Sequence, residues 1–220
     1  EPRATRARSG RRAAVQRADW ILLIVMVGAA GVAYLIDSVS GHELRSGPRE
    51  VAAVLLALVP LGLWLAFFYQ RDRDEPEPLH RVAAVVAIAA LVAAVAEPII
   101  DAVTIPDGIL GQAAVAVLWA GAIREWAKYA VVRTIAVESG EVDELADGIV
   151  YGTAAGLGYA TVINVGFVLD GTSPIDLGPG FLWMAVVALA HAAFGGVVGY
   201  FAAVDELHRP AWWWMPVGVA

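Results

Sequence analysis

Three charged side chains stand within five positions of an otherwise apolar run: Arg124, Glu125 and Lys128 in "GAIREWAKYAVV", residues 121–132. Two further polar side chains interrupt runs that are just as apolar, Asn164 in "YATVINVG" and His191 in "ALAHAAFG". Carboxylate, ammonium, amide and imidazole are the groups that move protons and hold an oxyanion. Hydrolysing a peptide bond needs a water, a base to take its proton and a donor for the developing negative charge. On a helix Lys128 lies three residues from Glu125 and four from Arg124, so all three can share one side. Glu125 and Lys128 can then pair, and Arg124 needs another acceptor. Asn164, a backbone carbonyl, or a carboxylate such as Glu97 in "AEPIID" would serve. Each residue also has a structural reading. The charges can form an ion-paired knot with Arg124 and Lys128 reaching toward headgroups. Asn164 can bridge helices, His191 can be a satisfied buried imidazole, and Glu97 and Asp101 can mark a helix end around Pro98.

These residues are positioned by helices that span a membrane. Of 220 residues, 59% are hydrophobic, which excludes an ordinary soluble domain. About 20 apolar residues in a helix cross the hydrocarbon core. Trp20–Ile36, Val51–Tyr69, Val82–Ile100, Ile109–Val132, Ile149–Leu169 and Phe181–Val204 meet that requirement. A seventh span begins at Ala211 in "AWWWMPVGVA" and is truncated at residue 220. The fold class expected is an all-α, polytopic transmembrane bundle of about seven helices, a visible part of a longer protein. Residues 1–18 form a basic arm and 19–220 one multi-helix membrane domain.

A charge at the centre of a span costs about 2.5–3.5 kcal/mol on insertion scales, so Arg124, Glu125 and Lys128 should face protein or a wet cavity. Small residues recur at intervals of four in helix 5 (Gly148, Gly152, Gly156, Ala160) and helix 6 (His191, Gly195, Gly199). That spacing lets helix backbones approach closely in lipid. In "VESGEVDELADG", Ser139 and Gly140 end one helix, and the acids that follow suit the positive end of the next. "YQRDRDEPEP" is charged and twice interrupted by proline, so it should leave the membrane.

The basic residues set an orientation. With a cytoplasmic amino terminus, the six arginines of the arm, Arg71, Arg73, Arg81, Arg133 and Arg209 lie inside, and only Arg45 and Arg49 lie outside. That follows the positive-inside rule and suits a multi-pass protein of the cell membrane. There is no cysteine, and so no thiolate chemistry.

At these residues the chain resembles the PrsW family of intramembrane proteases, relatives of the type II CAAX prenyl proteases and of the Aph scaffold subunit of γ-secretase. The resemblance runs from about Trp64 to Gly199, through "FFYQRDRDEPEP", "REWAK", "DGIVYGTAAGLGYATVIN" and "HAAFG". The family's motifs are EExxK, FxxxE and HxxxH, and each is matched in part. Glu125 and Lys128 stand at the second glutamate and the lysine, with Arg124 at the first glutamate. Tyr159 holds the aromatic position, Ile163 the glutamate after it, with Asn164 next. His191 is the first histidine, and Gly195 takes the place of the second.

The resemblance implies a glutamate that activates water at the first position, where a guanidinium cannot accept a proton. For a metal it leaves Glu125 and His191, one ligand short of the three of a catalytic zinc. No metal or other cofactor is expected. The first functional expectation is a proteolytically degenerate scaffold that binds a transmembrane or juxtamembrane segment, with Arg124, Lys128, Asn164 and Tyr159 as binding or structural residues. The alternative is an active protease cutting a membrane-tethered regulator such as an anti-sigma factor, with Glu125 as base and His191 as stabiliser. On that reading Glu97 or Asp147 replaces the missing carboxylates. A transporter or channel component is third. Expected partners are membrane lipids and a single-span or juxtamembrane segment, not nucleic acid, with the oligomeric state open.

Overall fold

The computed structural model describes residues 48–69, 77–169 and 177–208, with isolated helical positions at 21, 24, 25, 28 and 31. The expected basic arm, most of the first span and the span from Ala211 lie outside the described residues. Five helices follow in order: α1 Pro48–Tyr69, α2 Leu79–Asp101, α3 over 109–137, α4 Leu145–Leu169 and α5 Leu177–His208. Among the described residues there is no strand. Leu79–Asp101, Leu145–Leu169 and Pro179–His208 are long and apolar enough to cross a membrane. This is a helical membrane protein.

The helices extend a few residues past the apolar runs, because a helix continues through polar ends until a breaker stops it. α3 stops where the sequence places its signal. Gly140 takes φ +76, the amide of Gly140 donates to the carbonyl of Val137, and that of Glu141 to Ala136. These are the two bonds of a glycine C-terminal cap. α4 then opens on an acid: Asp147 Oδ2 accepts from the amides of Asp143 (3.0 Å) and Glu144 (2.7 Å). That satisfies donors the helix start would otherwise orphan.

α4 is the axis of the bundle, and every residue from 151 to 160 is buried. Its glycines fit it between neighbours. A Cβ at Gly152 or Gly156 would overlap the carbonyl of Gly195 or His191 on α5, and one at Gly158 the carbonyl of Val86 on α2. α2 shows the opposite design, one face in and one out. Val85, Ala89 and Ala93 are buried, while Leu91, Val95 and Ile99 are exposed where lipid would lie.

Two features go beyond the sequence reading. α3 is one continuous rod but not a uniform one, with π-helical turns at Val115–Gly121 and Arg133–Val137 on either side of "AIREWAKYAVV". A π turn rotates the residues beyond it relative to an α register. The charged segment before α2 lies mostly outside the described residues, and its end is tied into the bundle. Its Glu77 is buried, takes a 2.5 Å bond from the hydroxyl of Tyr151 on α4, and gives its carbonyl to Tyr69 of α1.

Candidate functional site

The three charges of α3 divide between two partners. Lys128 is fully buried, and its Nζ lies 2.5 Å from Glu125 Oε1, one turn back on the same helix. The same ammonium lies 3.4 Å from Nδ1 of His191, delivered by α5. An ammonium only donates, so Nδ1 accepts and the imidazole proton sits on Nε2. The ring of Tyr159, from α4, stacks on that imidazole with centroids 5.7 Å apart and planes 15° from parallel. Three helices thus bring Glu125, Lys128, His191 and Tyr159 together.

Arg124 turns to α2. Its Nε and Nη2 donate to the two carboxylate oxygens of Glu97 at 2.8 and 2.6 Å, a bidentate pair. Glu97 is therefore both close to a helix end and part of a half-buried polar pair. Its signal was its type and place, a carboxylate inside a span. The hydroxyl of Tyr159 faces this pair but is buried without a hydrogen bond of ordinary geometry. Tyr159 links the two pairs, its ring on His191 and its hydroxyl toward Glu97.

Asn164 does not join the cluster. Its amide donates to the carbonyl of Met184 at 3.1 Å and ties α4 to α5 farther along the bundle. Ile163 instead lines a groove with Glu97, Asp101 and Arg124. Gly195 packs on the backbone of Gly152, where any side chain would collide, so the place of a second histidine serves a helix contact. Asp147 caps the start of α4 and is not a replacement carboxylate for this site.

The donor set does not fit a catalytic metal. Glu125 Oε1 and His191 Nδ1 both face the Lys128 ammonium, so a cation of the chain stands between the two possible ligands. Glu125 Oε2 is buried with no partner, which leaves one free carboxylate oxygen. Among the described residues no three His, Cys, Asp or Glu converge, and three protein ligands are what a catalytic zinc usually takes.

Comparison with known proteins places these residues in a wider group. The family profile described as "PrsW family intramembrane metalloprotease" matches residues 77–220. The chain is 31% identical over 140 residues to the Protease PrsW of Geobacillus kaustophilus, covering 62% of this chain and 59% of that protein. It is 29% identical over 155 residues to the Protease PrsW of Shouchella clausii, 69% of this chain and 68% of that one. A Clostridioides difficile Protease PrsW is 23% identical over 150 residues, 67% and 63% of the two chains. The chain thus spans about three fifths of the Geobacillus relative. No solved structure matches.

Proposed function

The chain belongs to the PrsW family of intramembrane metalloproteases, and from that premise we propose that it is a scaffold of the family that holds a membrane segment without cutting it. The scaffold is a multi-pass protein of the plasma membrane, with about seven helices and its amino terminus in the cytoplasm. It takes a single-span or juxtamembrane segment of a partner in the groove beside Arg124. The observation that carries this reading is the bidentate Arg124–Glu97 pair. It puts a permanent cation at the motif position of the water-activating carboxylate, and it occupies both oxygens of Glu97, one of the carboxylates that could replace it.

A second reading, the active protease, draws support from Glu125. Its Oε2 is buried and unpartnered, and its other oxygen shares an ammonium with His191. A base and a donor thus lie on one cation. To separate the two, the purified chain in lipid is incubated with single-span reporter peptides and the products are read by mass spectrometry, beside Glu125→Gln. The scaffold reading expects intact, retained reporters for both proteins. A cut within or beside the reporter span that vanishes in Glu125→Gln overturns it.

A further inference from the structure

We propose that the groove beside the Arg124–Glu97 pair seats an apolar membrane segment bearing one basic side chain, and that Asp101 is the residue that selects it. The proposal rests on the scaffold reading and names the partner's chemistry. The groove holds about 780 Å³ between the end of α2, the middle of α3 and the end of α4. That is room for a few side chains of a passing segment, within the usual size of ligand sites. Its walls are apolar. Ile163 lies along them, and Phe167 and Trp183 stack at 4.4 Å between α4 and α5 with about two fifths of each exposed.

Three charged side chains face this groove: Glu97, Asp101 and Arg124. Glu97 and Arg124 neutralise each other through two bonds. Asp101 is exposed and forms no hydrogen bond or ion pair with a described residue. The groove therefore keeps one net negative charge beside apolar walls. An apolar segment with a lysine or arginine complements it, whereas a segment with a carboxylate, or an anionic headgroup, is repelled. From α2 to α5 a second copy is a poor occupant, because the lysine and arginines of those helices are already used. Arg81 pairs with Glu141, Arg133 with Asp205, Arg124 with Glu97, and Lys128 with Glu125.

The test places a photocrosslinker in the wall, Ile163→p-benzoylphenylalanine, in the full chain in phosphatidylcholine nanodiscs. The probes are three synthetic single-span peptides of leucine and alanine, identical except for Arg, Ala or Glu at the depth of Asp101. The Arg peptide is expected to be labelled roughly 1.5- to five-fold above the Ala peptide, the range of one exposed ion pair, and the Glu peptide below both. Asp101→Asn should erase the difference, and Asp101→Arg should make the Glu peptide the best. Equal labelling of the three peptides overturns the proposal, and so do adducts confined to lipid or to residues 1–47 of the chain itself. Peptide masses from the same samples separate this from the scaffold reading. Cut peptides with the charge preference intact would sink the scaffold and keep the cation rule. Intact peptides without preference would do the reverse.

Discussion

A guanidinium and a carboxylate joined by two parallel bonds lose more than one bond when either is removed, because the survivor stays poorly solvated. Arg124 and Glu97 are about a quarter and a seventh exposed, so the loss is smaller than for a fully buried pair. Arg124→Ala should destabilise by about 1–3 kcal/mol, below the 3–5 kcal/mol typical of full burial. Arg124→Lys should recover only part, since a point charge cannot make the fork. The double variant Arg124→Ala with Glu97→Gln should be more stable than Arg124→Ala alone. Thermal unfolding in detergent, followed by tryptophan fluorescence, checks the order, and equal losses in the single and double variants would mean the pair is not coupled. Lys128 gives a second prediction. Lys128→Met leaves both oxygens of Glu125 without a partner, and adding Glu125→Gln should return about 1–2 kcal/mol of that loss. The partners were only partly legible in the residues. Helical spacing alone pairs Glu125 with Lys128. Nothing local chooses Glu97 over Asn164 for Arg124, because that choice depends on how α2 and α4 lie against α3.

Helix association in lipid lacks the drive that water supplies to apolar surfaces, so close backbone contact has to replace it. The α4–α5 seam is built that way, and its glycines make opposite predictions according to what lies before them. Gly156→Ala would push a methyl into the carbonyl of His191. It should separate the helices, destabilise by about 1–3 kcal/mol as overpacking does, and move His191 away from Lys128. Gly166→Ala meets nothing within 4 Å, so helix propensity should make it neutral or stabilising by up to about 1 kcal/mol. Unfolding of the two variants in the same detergent decides this, and equal destabilisation would remove the seam from the account. The four-residue repeat was readable because small residues at that spacing have one main use in a bilayer. The π turns flanking "AIREWAKYAVV" were not, since a π turn has no composition of its own and arises from packing. They shift the register of the residues beyond them, so spacing counted along the whole of α3 does not show which residues share a face.

At the scale of the whole molecule, side of the membrane decides what a partner must look like. Asp101 ends α2, and Asp107 lies in the same connection to α3, so both belong to one face; Ser139, beyond α3, belongs to the other. On the proposed orientation, with the amino terminus in the cytoplasm, the Asp107 face lies outside. Because the chain has no cysteine, single substitutions report on a silent background. Asp107→Cys should react with a membrane-impermeant maleimide on intact cells, and Ser139→Cys only after the membrane is opened. The opposite pattern would overturn the orientation and place Asp101 on the cytoplasmic side. The expected result also sharpens the partner. Basic residues concentrate on the cytoplasmic flanks of spans, so a lysine or arginine at the outer end is uncommon among membrane segments. An outward-facing Asp101 would therefore reject most spans that diffuse past the groove, which an inward-facing one would not.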